Sequence, residues 1–491
     1  MSAGAAPAAL AGLVLAASAI VVPLAVAEAP PAGQTLTDGE LGLELIMSDP
    51  MWIGATPFDP YWSLDGLSIY YERNRPDSDG DRELLRLPLD GPSDRDGGGD
   101  GNGVPIAGAD WADVDAAEVT YNPDRTAAVF TRHGDVFRRD LKTGELRQLT
   151  RTASRESNPF FTRAGDVAFE RGGHFFIRTD EGLEWQPAAI QEGEDPGDDK
   201  SGEDYLSQQQ PRLFEVITER QRRRGAERER RETRLIEDPT APPRTFYLGD
   251  DVEVMGRFLS PDARSMAVVT APEKREEGRD DKMPEWVTED GYVNIRDVRN
   301  KVGTDGDWTH SLVLLDAGEH IRFDVDLSGL PGIADDPLAD LRAAAEERRS
   351  AAEEREAVDP ESAGDSNEAG EGRPADAETE DDAEPRSVRI FDLKWSPDGA
   401  RAAFQVHSTD NKDRWLVVVE PTEASAAAPV TVHRLSLEGW INWNFNEFDW
   451  LDASRLWFLS EATGYSHLYL HDVVGGETRQ LTEGDRERRV G

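Results

Sequence analysis

The sequence predicts an all-β protein, a β-propeller with six to seven detectable blades. Three observations lead there. One local pattern recurs six times along the chain, each copy is followed by a strand-like run, and several copies continue into a second hairpin. Two hairpins make a four-stranded antiparallel unit of about 40 residues, the size of a propeller blade.

The copies can be taken in order. Trp62-Ser63-Leu64-Asp65-Gly66 stands before LSIYY, and Tyr121-Asn122-Pro123-Asp124-Arg125 before TAAVF. Phe161-Thr162-Arg163-Ala164-Gly165 precedes DVAFE, and Leu259-Ser260-Pro261-Asp262-Ala263 precedes RSMAVV. The cleanest is Trp395-Ser396-Pro397-Asp398-Gly399 before ARAAFQV; the last is Trp450-Leu451-Asp452-Ala453-Ser454 before RLWFL. Pro fixes φ at the second turn position, Asp bonds its own backbone, and Gly accepts a positive φ. The runs that follow have strand composition. Residues 134–150 and 466–482 add a second hairpin and share the ending Arg-Gln-Leu-Thr. DWTHSLVLLDAGEHIRF (307–323) reads as a further, less regular blade.

Two inserts interrupt the repeat. Residues 205–237 are rich in Arg, Glu and Gln without β-branched alternation, which predicts a solvated helix from about Pro211. Residues 341–386 open with an Ala/Glu/Arg helical pattern and then become acidic and low in complexity, with 16 Asp and Glu against 6 Arg and no aromatic residue. Such a segment cannot offset its ordering entropy. The run DRDGGGDGNG (94–103) lacks the spacing and terminal Glu of a calcium loop and reads as a hairpin tip.

Residues 8–27 are apolar and end in Ala25-Val26-Ala27, the small-x-small pattern of an export-signal cleavage site. No cation precedes Arg73, so an uncleaved membrane anchor is the alternative reading of 1–27. Either way the chain is expected outside the cytoplasm, periplasmic or extracellular. The net charge of −44 argues against a nucleic-acid partner. The absence of Cys removes disulfides, thiolate catalysis and Cys-ligated metals. No cofactor or metal is expected.

With these residues on the page, the chain resembles the N-terminal propeller of dipeptidyl peptidase IV-like enzymes, in the prolyl oligopeptidase (S9) family of serine peptidases. The resemblance rests on Trp395-Ser396-Pro397-Asp398-Gly399, STDNKDRWLVVVE (408–420), FDWLDASRLWFLSEATGYSHLYLHD (448–472), RQLTEGD (479–485) and PEWVTEDGYV (284–293), and covers about 40–485. It implies an eight-bladed propeller that admits peptide substrates through its channel to an α/β-hydrolase domain with a Ser-Asp-His triad. That hydrolase has no counterpart in these 491 residues, nor does the Gly-x-Ser-x-Gly elbow its nucleophile needs.

The site candidates are few. Gly464-Tyr465-Ser466-His467-Leu468 is the nearest match to an elbow, but Ser466 and His467 are strand neighbours and point to opposite faces. Glu276-Glu277, Glu346-Glu347 and Glu353-Glu354 are paired, yet none lies in the Trp/Tyr-rich context of the resembled family's amine anchor. His467 and His471 alternate with apolar residues in a strand and read as structural. GWINWNFNEFDW (439–450) reads as core and turns rather than an exposed ligand platform. No residue is therefore assigned as catalytic, cofactor-binding or metal-binding. The expected function is the substrate-gating part of an exported S9 peptidase, cut short before the catalytic domain and inactive alone. The alternative is a stand-alone TolB-like propeller that binds peptides or proteins.

Overall fold

The computed structural model describes residues 56–485, except 76–80, 90–102, 197–210, 239, 276–277, 289–290, 302–303, 305, 359–383, 443 and 445. The apolar segment 8–27, the start of the helical insert at 205–210, and most of the runs 94–103 and 359–386 lie outside the described residues. No described helix is long and apolar enough to cross a membrane.

The chain divides into two compact units, Met1–Ala117 and Glu118–Gly491. The first unit holds one four-stranded antiparallel blade, Phe58–Trp62, Ser68–Asn74, Arg82–Pro88 and Val104–Pro105, paired in chain order. Asp115 ties its outlying segment back. Its carboxylate accepts from the Leu64 N–H at 2.9 Å, and its carbonyl accepts from the Tyr61 hydroxyl at 3.0 Å.

The second unit holds five more four-stranded antiparallel sheets. The second blade is Thr120–Tyr121, Ala127–Arg132, Asp135–Asp140 and Leu146–Gln148. The third is Glu156–Phe161, Val167–Arg171, His174–Arg178 and Glu184–Trp185. The fourth is Val252–Leu259, Ser265–Pro272, Ser311–Asp316 and Ile321–Val325. The fifth is Val388–Trp395, Ala402–Ser408, Asp413–Val419 and Val430–Ser436. The sixth is Phe448–Trp450, Arg455–Ser460, His467–Asp472 and Glu477–Gln480. The all-β, propeller-like architecture read from the repeat holds.

One blade expected from sequence does not exist as such. Residues 307–323 supply the outer half of the fourth blade, pairing Ser311–Asp316 along Ser265–Thr270. Ser265–Ala271 is buried at every position. A strand buried on both faces needs a hydrogen-bonded neighbour on each side. The spacing misled because a separate hairpin, Asp280–Glu285 with Asn294–Asn300, is inserted between the second and third strands of this blade. The described residues of PEWVTEDGYV lie at the end of that hairpin, with Trp286 and Tyr292 well exposed.

The blades of the second unit pack face to face in chain order. Val129, Val136, Phe161 and Phe169 join the second to the third. Phe175, Ile177, Met266, Val268 and Leu315 join the third to the fourth. Leu312, Leu314, Phe404, Trp415 and Val417 join the fourth to the fifth. Leu416, Val418, Phe448 and Phe458 join the fifth to the sixth. Each large apolar side chain so buried contributes roughly 1.5–3 kcal/mol.

The repeated turns form as their residues dictate. Ser396 Oγ donates to Asp398 and accepts the Arg401 N–H at 3.0 Å, while Gly399 N–H donates to the Ser396 carbonyl at 2.8 Å. Ser260 with Asp262 and Ser63 with Asp65 repeat the arrangement. Gly66 and Gly399 sit at φ +70° and +77°, and Ala263 and Arg125 take the same left-handed conformation without being glycine. Successive turns also touch. Arg163 N–H donates to Pro261 O, Arg163 Nη1 to Asp398 O, and Arg401 Nη1 to Ala453 O.

Both inserts leave and rejoin at fixed points. The helix α1, Pro211–Glu237, lies between two short parallel strands, Ala189–Gln191 and Thr245–Tyr247, which pair with each other. The helix α2, Ala339–Val358, opens the acidic insert as its pattern predicted. The far boundary needs correction, because Arg386 belongs to the blade. Its guanidinium bonds Asp410 and the buried Asp413, at 2.9 and 2.6 Å, and the carbonyls of Gly332 and Ile333. Arg434 bonds the other Asp413 oxygen at 2.8 Å and lies so close to Gly332 that an added Cβ would stand 2.0 Å from its Nη1.

Four changes test these contacts through stability. Gly399→Ala should cost about 1–3 kcal/mol in urea melts, from the positive φ and a Cβ 2.7 Å from Asp262 Cγ. Gly464→Ala, at φ +93° with open space around it, should cost less. Excising 359–383 should leave the melt within about 1 kcal/mol, since a segment of this acidic, aromatic-free composition has little to bury. Arg386→Ala should cost about 1–3 kcal/mol, because Asp413 stays buried with one partner fewer. Equal effects of the excision and of Arg386→Ala would remove the clamp.

Candidate functional site

The first strands of neighbouring blades converge in the second unit. Trp395 Nε1 donates to Phe258 O at 3.0 Å, and Trp450 Nε1 donates to Lys394 O at 2.9 Å. Each indole thus joins its own first strand to that of the blade before. Several of these strands are bulged, which re-aims a side chain out of the pleat. The pairing of Val388–Trp395 shifts between Phe391 and Leu393, where Asp392 adopts φ +44°.

Asp392, Lys394 and Asp449 meet at this edge. Lys394 Nζ lies 3.7 Å from Asp392 and 3.5 Å from Asp449, and donates to Phe448 O at 2.9 Å. Partial loss of hydration, and then the charge of Asp449, raises the Asp392 carboxyl above its ordinary range, with Lys394 opposing.

Behind this edge lies a polar seam between the fifth and sixth blades. The Phe391 ring lies tilted against the His407 ring, centroids 4.6 Å apart, and His407 Nε2 is 3.2 Å from Gln405 Oε1. Gln405 in turn donates to Asn446 O on the connection to the sixth blade. Arg414, in the neighbouring strand of the fifth blade, is 4% exposed. Burial draws its guanidinium down to about 10 against the charges of Glu461 and Glu447, so it remains a cation at neutral pH. Burial, reinforced by Arg414, holds His407 near 3 and His433 near 4, so both rings are neutral there.

His433 Nε2 lies 2.7 Å from Ser460 Oγ, the spacing of a nucleophile and its base. Ser460 has no exposed surface, and a ring that stays neutral to about pH 4 is a weak base. This pair binds one blade to the next. The seam can donate hydrogen bonds from neutral imidazole and guanidinium and accept them at carboxylates.

The residues singled out from sequence lie elsewhere. Ser466 and His467 are both buried, and the His467 ring faces Thr482 Oγ1 at 3.4 Å. His471 shares the strand with His467 and bonds Thr478 at 2.7 Å across the sheet. Four residues of strand separate the two by about 13 Å, too far to share one ion. Among the described residues no group of three potential ligands is gathered for a metal. In GWINWNFNEFDW, Ile441, Phe448 and Trp450 are buried while Trp440 is exposed. Glu346 and Glu347 lie on α2; Glu276 and Glu277 lie outside the described residues, and nothing is described of the side chains of Glu353 and Glu354. Asp392, Arg414, His433 and Glu447 carry no local sequence signal, since their partners come from two blades.

The neutral rings set a pH dependence. In the unfolded chain each imidazole takes a proton below about 6.5, and in the folded chain His407 and His433 do so only near 3 and 4. The unfolded state therefore binds more protons through this window, and stability falls as pH drops from about 6.5 towards 4. Urea melts across that range should show a shallower acid-side loss in the variant His407→Gln/His433→Gln, by about two protons per molecule unfolded. An unchanged slope would mean that both rings are already charged when folded.

Comparison with known proteins adds one sequence match. A family profile described as the dipeptidyl peptidase IV (DPP IV) N-terminal region matches residues 367–488, which contain the fifth and sixth blades and the seam between them. That part of the chain is similar to DPP IV N-terminal regions, in agreement with the resemblance. No curated protein matches. Among solved structures, a dipeptidyl peptidase 4 from Porphyromonas gingivalis aligns at 15% identity and a TM-score of 0.39, over 88% of this chain and 48% of its own. A putative dipeptidyl aminopeptidase IV from Bacteroides ovatus aligns at 10% identity and a TM-score of 0.37, over the same shares. The chain spans about half the length of these structures.

Proposed function

We propose that this chain is the propeller region of an exported serine peptidase of the S9 family, which selects peptides and does not itself cleave them. The observation that carries the reading is the match at residues 367–488, which falls on two structured blades. Their convergent first strands present charged groups to whatever lies along them. The absence of a Gly-x-Ser-x-Gly elbow from the 491 residues supports a non-catalytic role. Export rests on the apolar segment 8–27 and its Ala-Val-Ala ending.

A selecting surface for peptides needs a group that senses the peptide's charged end. Asp392 and Asp449 supply carboxylates at the strand edges, and Lys394 between them leaves part of their charge for an incoming ammonium.

The purified chain should not turn over Xaa-Pro or Xaa-Ala chromogenic dipeptides and should not be labelled by a fluorophosphonate. It should bind short peptides with a free amino terminus more tightly than their N-acetyl forms. Asp392→Asn/Asp449→Asn should reduce that preference by about tenfold. Turnover abolished by Ser460→Ala or Ser466→Ala would overturn the non-catalytic reading. A preference unaffected by the double variant would remove the carboxylate pair from it.

A further inference from the structure

The most deeply buried guanidinium among the described residues is the one without a bonded partner. Arg171 and Arg386 keep 19% and 15% of their side chains exposed, and each bonds two carboxylates. Burial pulls both guanidiniums down, and those bonds outweigh it and hold them above their ordinary range. Arg414 is the only buried arginine among the described residues, at 4% exposure. No described residue forms a hydrogen bond or an ion pair with it; Glu461 and Glu447 act on it through space alone. A cation taken out of water without a bonded partner is a costly arrangement.

The surroundings show why the protein leaves it so. Within Asp413–Val419, Arg414 stands opposite His407 on one side and Leu435 on the other. The connection to the sixth blade is tied to the start of this strand, with Leu437 N–H donating to Lys412 O at 3.1 Å and Ile441 N–H to Asn411 O at 3.0 Å. Asn442, the next residue along, donates to Glu461 at 3.1 Å and engages the carboxylate that acts most strongly on Arg414. Unbonded nitrogens sealed from solvent occur at Arg73 and Arg257, but none belongs to Arg414. Surface that a water-sized molecule can touch therefore remains on the guanidinium itself.

We infer that Arg414 holds one chloride ion in the seam, as the counter-ion that no side chain supplies. The guanidinium is a fork of N–H donors that needs negative charge as well as acceptors, and water alone would leave the charge uncompensated. The opening is narrow, which favours an ion close to water in size. Glu447 and Glu461 lie within electrostatic range, so a second negative charge on the ligand would be repelled. His407 and His433, the imidazoles on which Arg414 acts, are neutral at neutral pH and draw no anion away. No bond is made or broken. The site is independent of the peptide preference proposed for Asp392 and Asp449.

The test uses the intact chain. Thermal melts are run at one ionic strength while sodium chloride replaces sodium gluconate, whose anion is too large for the opening. The midpoint should rise with chloride and level off, as for a ligand that binds only the folded state. Arg414→Gln should lose that rise, whereas Arg222→Gln, exposed on α1, should keep it. Crystals of the wild type soaked in sodium bromide should show an anomalous peak beside the Arg414 guanidinium, a readout that stands even where Arg414→Gln does not fold. The inference is overturned if chloride and gluconate give the same midpoint, if a folded Arg414→Gln protein responds to chloride as the wild type does, or if bromide leaves the guanidinium unoccupied.

Discussion

A first strand in this architecture has a sheet neighbour on one side only, and its other edge must be satisfied by the blade beside it. Unpaired backbone groups at such an edge are either hydrogen-bonded or costly when buried. The molecule meets this constraint with side chains rather than with another strand. Trp395 supplies an indole N–H to Phe258 O, and Trp450 does the same for Lys394 O. His310 and Thr309 serve Val388 and Ile390. Placement of the fourth, fifth and sixth blades against one another is directed by these few bonds, because apolar faces alone would allow sheets to slide.

The same constraint explains where the chain tolerates additions. The described inserts are closed by local contacts. The α1 helix is bracketed by Ala189–Gln191 against Thr245–Tyr247, and the Asp280–Asn300 hairpin returns to complete the fourth blade. At the acidic insert, Arg386 and Arg434 enclose Asp413, and Gly332 gives the space for Arg434. With −44 net charge, like-charge repulsion opposes compaction. The guanidinium–carboxylate contacts of Arg386 and Arg434 place cations where the acidic segment joins the blade.

Much of this was legible in the sequence, and the limit is physical. The Ser-Pro-Asp-Gly turn is a local device whose donors and acceptors lie within five residues, so it reads directly as at Ser396 and Asp398. The strand composition of ARAAFQV and RLWFL is equally local. The sheet partner of Ser265–Pro272 was not legible, because it lies beyond an intervening hairpin and blade identity depends on pairing rather than spacing. Trp395 and Trp450 were recognised as leading residues of their repeats, but the use of their N–H groups was not, since each acceptor belongs to another repeat. For the same reason the site candidates from sequence, Ser466, His467 and His471, proved to be buried side chains of one blade, while Arg414, His433 and Glu447 emerged only once two blades were set together.

That contrast bears on how a propeller of this kind gains function. Within a blade, the two faces are committed to packing, and the middle strands Ala402–Ser408 and Asp413–Val419 are buried throughout. Polar groups survive there only if a neighbouring blade completes them. Gln405, His407 and Arg414 face the sixth blade, and their partners Asn446, Glu447 and Glu461 come from the connection to it or from within it. Keeping such a network buried is no gain in stability over an apolar seam. Its consequence is positional: two neutral imidazoles and a retained guanidinium charge fix the fifth and sixth blades in one register, and that register brings Asp392 and Asp449 to the same lysine. Charges stay at fixed separations only when their supports are rigid, and the seam supplies that support from behind Asp392, Lys394 and Asp449.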